Sequence, residues 1–200
     1  MELTNKGLAT LCQIARVSLL PGYDEVLTID KNVADDGMKE LQDKKIIEDG
    51  KLTQHGLAVA TSIYGYSNAK KYIKLGTANF ALLQDNEYVM IIKGENYNIE
   101  VLNQDQIVAV ILSKFTTWNT VTEKEYKKKL LNKNEFKEMV ESKEDFEAMY
   151  YYVIDLKNRT EKKAIMFISD GYFQHYDQVK EHLDKYPAER VQEAIEGIFV

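Results

Sequence analysis

The 200-residue chain has one cysteine, two prolines and no apolar run approaching the roughly 18 residues that a membrane-crossing helix requires. Each shortage removes a class of protein. A lone Cys12 can form no internal disulfide, and its neighbours Leu11 and Ala15 predict a buried thiol in a reducing compartment. Pro21, Pro187 and ten scattered glycines leave no flexible linker, so a single α+β domain over residues 1–200 is expected. The start, Met1 to Lys6, lacks a charged region followed by a long apolar stretch, so no signal peptide and a cytoplasmic location are expected. Cation excess is missing as well. Lys and Arg number 26 against 32 Asp and Glu, a formal net charge of −6. A general nucleic-acid binder needs a basic face to neutralise phosphates, so no nucleic-acid partner is expected. Phosphate-cradling glycine loops, nucleophile elbows and paired zinc-binding cysteines are absent from the sequence.

Apolar periodicity divides what remains into three sub-parts. Residues 1–66 read as helical. Leu8, Leu11, Cys12, Ala15 and Leu19 keep helical spacing up to the stop at Pro21-Gly22. Ala34, Met38 and Leu41 mark a second helix, followed by Ile46-Ile47 and the turn Glu48-Asp49-Gly50. Thr53 is placed to cap a third, with Leu57, Ala60 and Tyr64 on one face. Residues 67–119 read as strands plus a helix. Strands are expected around Phe80–Leu83, Tyr88–Ile92 and Asn98–Val101, with turns at Asp85-Asn86 and Gly94–Asn96. Asn103 with Gln106 then forms a capping box for a helix carrying Ile107, Val110, Ile111 and Phe115.

Residues 120–200 repeat this grammar of helices, strands and a terminal helix. Thr122 with Glu125 reads as another capping box, opening a charged helix that continues through Phe136, Met139 and Val140. Met149–Leu156, Ala164–Ile168 and Tyr172–Val179 read as strands, the last two joined by Asp170-Gly171. Pro187 begins a helix with Val191, Ala194, Ile195, Ile198 and Phe199 on one face.

Several short stretches in this order resemble the EspG-type chaperones of type VII (ESX) secretion systems. They are Leu20-Pro21-Gly22; Met38-Lys39-Glu40-Leu41 leading through Lys45–Gly50 to Leu52–Leu57; Glu87–Ile92; Asp105–Val108; Ser169–Phe173; and Tyr186–Glu189. The chain is shorter than typical members, and its Asp85-Asn86 turn leaves no room for the longer loop some members use on partners. The resemblance implies a central antiparallel sheet built from two pseudo-symmetric halves and flanked by helical bundles. It also implies a cytoplasmic adaptor that holds a helical export substrate, with no catalytic residue, cofactor or metal.

Rival chemistries weaken on inspection. His175 and His182 lie near Asp177 and Glu181, but a predicted strand carries only the first, and ordinary hydrogen-bonding histidines are the preferred reading over a zinc site. Asp35-Asp36 and Glu144-Asp145 sit at helix starts, where they favour the helix dipole rather than form a catalytic pair. The helix pair Ile46–Ala60 also suits a winged-helix DNA binder, yet it keeps company with Glu40, Asp43, Glu48 and Asp49. Lys127-Lys128-Lys129, set among Glu123, Glu125, Glu135 and Glu138, reads as a solvated helix face.

The informative excess is tyrosine, at thirteen residues. In Tyr150-Tyr151-Tyr152 consecutive strand residues face opposite ways, so Tyr151 and the pair Tyr150/Tyr152 must separate. One reading is a sheet sandwiched between helices with hydroxyls at the rim. The other is a partly open face that receives an apolar helix tip, as tyrosine enrichment at interfaces allows. On the second reading Tyr150, Tyr152, Tyr172 and Tyr176 form the partner surface if strand register puts both pairs on one face. The alternative function is an acidic immunity protein that neutralises a secreted toxin.

Overall fold

A computed structural model of the chain describes residues 1–27, 34–83, 87–142 and 147–199. The Asp85-Asn86 turn and the Glu144-Asp145 pair lie outside the described residues. The chain divides into two compact units, Met1–Tyr72 with Thr77–Leu102, and Ile73–Gly76 with Asn103–Val200. The architecture is α+β, with antiparallel pairing throughout the registered strands and six α-helices among the described residues.

The first unit opens with β1 (Glu2–Leu3), α1 (Asn5–Ile14) and α2 (Ala34–Asp43). A small hairpin of β2 (Ile47–Glu48) and β3 (Lys51–Leu52) turns at Asp49 and Gly50, both at positive φ. The helix α3 (Gln54–Asn68) leads into β4 (Lys71–Leu75), which from Ile73 onward belongs to the second unit, and the chain returns to the first with β5 (Ala78–Leu82), β6 (Glu87–Lys93) and β7 (Tyr97–Asn103). Within this unit β5 pairs with β6, and β1 pairs back onto β7 with Leu3 opposite Tyr97. The N-terminal ammonium donates to the Ile99 carbonyl at 2.7 Å, tying the first residue to the sheet. One apolar cluster unites Leu8, Leu11, Cys12, Leu41, Ile63, Tyr66, Val89 and Ile91, all but excluded from water. Each of the aliphatic side chains among them contributes about 1.5–3 kcal/mol by leaving solvent. Cys12 sits in that cluster, and burial pushes its thiol up to about 12.

The second unit holds α4 (Gln104–Leu112), β8 (Lys127–Leu130), α5 (Lys133–Glu141), β9 (Ala148–Asp155), β10 (Thr160–Ser169), β11 (Tyr172–Asp177), β12 (His182–Tyr186) and α6 (Val191–Phe199). Its strand order is β9-β10-β11-β12-β8. Asp170 and Gly171, at positive φ of 54° and 75°, make the tight turn between β10 and β11. Both units use one device: a short strand precedes helix and meander, and later pairs with the meander's last strand.

Four expectations need correction. Leu19 lies outside α1, because the chain leaves the helix at Arg16 with φ 57° and Val17 N–H donates back to Cys12 O. On α3 the inward face is Val59, Ala60, Ile63 and Tyr66, while Leu57 and Tyr64 face solvent. Thr122 and Glu125 open no helix. Residues 127–130 are the strand β8, and the capping box that starts α5 is Asn132 with Glu135. The lysine run is therefore an exposed edge strand rather than a helix face, and β12, unread in the sequence, is its partner. The Asn103–Gln106 box on α4 and the Thr53 cap on α3 are both present.

Gly56 is the tightest constraint on that capped turn. A Cβ there would sit 2.0 Å from the Ile46 carbonyl oxygen, which is itself fixed by Thr53 N–H at 3.0 Å. In α6 a Cβ on Gly197 would meet nothing within 4 Å. Gly56→Ala should therefore cost about 2 kcal/mol and lower Tm by about 4–8 °C, whereas Gly197→Ala should gain about 0.5–1 kcal/mol. Thermal unfolding of the two variants beside the parent checks this, and equal midpoints would refute the close approach.

Candidate functional site

The register of β10 assigns every side chain of the second unit's sheet to a face. Ile165 stands opposite Tyr150 on β9 and Tyr176 on β11, and Tyr176 opposite Leu183 on β12. Ala164 stands opposite Tyr151 and Asp177, and Met166 opposite His175. Alternation along each strand then puts Tyr150, Tyr152, Tyr172 and Tyr176 on one face, with Tyr151 and His175 on the other.

On the first face the four tyrosines differ in surroundings. Tyr150 is 63% exposed and Tyr152 half-buried. Tyr176 is covered by α5, its ring stacked on Phe136 at 4.0 Å and an interplanar angle of 6°. Phe136, Ile165, Phe167, Tyr176 and Leu183 with Leu131 form the apolar cluster under that helix. Tyr172 lies four residues along β11, at the Asp170-Gly171 end. Its ring is approached by Lys127 and Lys185, and its hydroxyl donates to Glu123 at 3.2 Å. Tyr150, Tyr152 and Tyr176 are thus brought together, and Tyr172 is set apart.

Two cavities open on this face. One, of about 460 Å³, is lined by Ala148, Tyr150, Tyr152, Lys74, Lys163 and Gln178, among others. The next, of about 380 Å³, runs beside α5 and is lined by Tyr150, Ile165, Tyr176, Phe136, Lys137 and Gln178, among others. Tyr150 and Gln178 belong to both, so the cavities form one trough. Local sequence pattern does not give the α5 wall, because a helix opened by Thr122 and Glu125 starts ten residues before Asn132, the cap that α5 uses. Its signal was nevertheless present: Lys133, Lys137 and Glu141 recur every four residues along one helix face.

The opposite face is a buried polar network. His175 is only 8% exposed, and its Nε2 meets the Tyr151 hydroxyl. Burial pushes the Tyr151 phenol well above its ordinary range, with Asp177 adding to it, so the hydroxyl keeps its proton while it shares a hydrogen bond with the imidazole. Asp184, also buried, accepts from Tyr126 and lies 2.9 Å from His182 Nε2 and 3.7 Å from Lys128 Nζ. The Asp177 carboxylate accepts from Val179 and Lys180 N–H, capping the β11–β12 turn. Among the described residues no three of His, Cys, Asp or Glu are gathered to hold a metal ion, and no helix is long and apolar enough to cross a membrane.

A family model described as "Domain of unknown function (DUF5081)" matches residues 4–188. Among curated proteins none matches the chain. Among solved structures, the Mycobacterium tuberculosis type VII secretion system chaperone EspG5, in complex with the PE25-PPE41 dimer, aligns with a TM-score of 0.63 at 8% identity. The alignment covers 98% of this chain and 94% of that one. At that identity the likeness is one of fold.

The His175 network makes stability depend on pH. Burial first, and Lys162 second, push the His175 pKa down to about 3 from the ordinary 6.5. The unfolded chain then binds the extra proton between those values, so the contribution is intact above pH 6.5 and is lost as pH falls toward 3. Glu25, Asp36, Glu147 and Glu193 are all lowered, so their losses begin only below the ordinary carboxylate value of about 4.5 (for Asp36, about 3.8). Between about pH 4.5 and 6.5, denaturant unfolding should lose about 1.4 kcal/mol per pH unit, and His175→Gln should flatten that slope. An unchanged slope in the variant would remove His175 as its source.

Proposed function

The chain belongs to the family described as a domain of unknown function, DUF5081, and on its fold and its open tyrosine trough we propose that it is a non-enzymatic chaperone of a type VII secretion system. It binds a helical export substrate in the cytoplasm and keeps it soluble until export. The observation that carries this reading is the near end-to-end alignment with EspG5, a chaperone captured in complex with the PE25-PPE41 dimer. Physical need supports it. A secreted helical protein presents an apolar tip that self-associates unless capped, and apolar patches beyond a few hundred Å² are rare on soluble monomers for that reason.

In this reading Tyr150, Tyr152, Tyr172 and Tyr176 have two parts. Tyr150 and Tyr152 meet the substrate. Tyr176 holds their floor through Phe136, and Tyr172 braces the far end between Lys127 and Lys185. A tyrosine with its ring in solvent gains by covering, because it offers a large area at the cost of few rotamers.

Co-expression with the proteins encoded beside it, followed by affinity capture and mass spectrometry, tests the function. A secreted protein with a helical targeting region should co-purify. Recovery of a toxin's catalytic domain alone would overturn the reading in favour of an immunity protein. Tyr150→Ser should weaken capture about thirtyfold, the equivalent of about 2 kcal/mol for an interface aromatic. Its Tm should stay within about 1 °C of the parent, since the side chain is already in solvent.

A further inference from the structure

The trough has a charge pattern that the chain as a whole does not. Lys74 and Lys163 line its first cavity, and Lys133 and Lys137 line its second, from α5. Among the described residues one lining carboxylate, Glu141, stands with them and is taken up by Lys137 at 3.6 Å. Glu161, beyond Tyr152 on the same face, engages the Tyr152 hydroxyl. Cations therefore bracket an apolar middle made by Ala148, Tyr150, Ile165 and Phe136, in a chain whose net charge is −6. A second observation lies in the floor. Tyr176 is 1% exposed, lines the second cavity, and its hydroxyl has no hydrogen-bond partner among the described residues. Burying a donor unpaired is costly, so a hydroxyl left in that state beside a cavity calls for an incoming acceptor.

We propose that this trough docks an amphipathic helix whose apolar stripe is bracketed by acidic side chains, the lysine pairs reading the acids and Tyr150 the stripe. The proposal rests on the chaperone reading and names what its substrate must carry. Uniform hydrophobicity would not discriminate among helices, whereas like-charge juxtaposition at the trough ends rejects basic ones. An acceptor from the partner, a carboxylate or an exposed carbonyl, completes the Tyr176 hydroxyl.

The test uses the full chain and three labelled synthetic helices, read by fluorescence anisotropy. The first has leucines at i, i+3, i+4 and i+7 with two glutamates at each end. The second replaces those glutamates by lysines, and the third keeps the glutamates but replaces the leucines by serines. The first should bind at least tenfold more tightly than either other peptide at 50 mM NaCl, with the preference over the lysine peptide shrinking several-fold at 500 mM. Lys133→Glu combined with Lys137→Glu should erase or invert that preference. Tyr176→Phe should weaken binding several-fold while leaving Tm unchanged or raised, which a merely structural tyrosine would not do. Equal binding of the acidic and basic peptides, no binding of any peptide, or retention of the preference in the double variant would each overturn the proposal. The outcomes separate from those for the chaperone reading. If a helical secreted protein co-purifies with the parent and equally with the double lysine variant, chaperone activity stands and this docking mode falls. If no secreted helical protein co-purifies, the chaperone reading falls whatever the peptides do.

Discussion

Register at β10 governs everything that the second unit's sheet can be. This ten-residue strand is paired on both sides, and its middle, Ala164–Ile168, is buried. Its side-chain period is two, so a slip of one residue against either neighbour would exchange the faces. Tyr150 and Tyr176 would then turn into the His175 network, and Asp177 would enter the apolar cluster under α5. Neither arrangement is tolerable, because a carboxylate among Phe136, Phe167 and Leu183 would have no partner. The apolar cluster on one face and the polar network on the other thus fix the register jointly, and the register fixes where the trough lies.

Features set by local chemistry were legible in the sequence. The separation of Tyr151 from Tyr150 and Tyr152 needs only the pleat. The Asn103–Gln106 box needs four residues, and the Asp170-Gly171 turn needs two that tolerate positive φ. What stayed hidden depends on distant partners. Lys127–Leu130 has no apolar alternation, all four residues are exposed, and only pairing with His182–Lys185 makes it a strand. On α3, Leu57 and Tyr64 keep helical spacing as well as Val59, Ile63 and Tyr66 do, so spacing alone could not choose the buried set. The shared face of the four tyrosines follows from parity once the strands are registered. That Tyr176 is roofed and Tyr150 is open follows from where α5 lies, which no local pattern encodes.

The lysines of β8 have a physical role as well as a place. An edge strand offers unpaired N–H and C=O groups to any other chain, and charged side chains along it discourage that pairing. With Lys127, Lys128 and Lys129 exposed, β8 closes the strand order with a cationic border. Lys128 reaches the buried Asp184, and Lys127 lies 5.2 Å over the Tyr172 ring, so the border is also anchored. The first unit closes differently, with the two-residue β1 held by the N-terminal ammonium on Ile99. A short strand that precedes its helix and meander thus ends the strand order in each unit, by charge in one and by brevity in the other.

The trough is the part of the second unit where local choices disagree with stability. An exposed aromatic, neighbouring cations and an unpaired buried hydroxyl each raise the free energy of the isolated chain, the hydroxyl alone by about 1–3 kcal/mol. Against a typical total of about 5–15 kcal/mol, that is a considerable fraction to leave unrelieved. Elsewhere in the unit the same groups are satisfied: Tyr151 bonds His175, Tyr126 bonds Asp184 and Tyr172 bonds Glu123. The fold can therefore pair its tyrosines, and it leaves Tyr176 unpaired only beside the trough. Sequences violate local consistency chiefly where something outside the chain restores it. A helix carrying acids at its ends and leucines between them would relieve all three costs at once, because its stripe would cover Tyr150, its carboxylates would meet the lysines, and an acceptor would reach the Tyr176 hydroxyl.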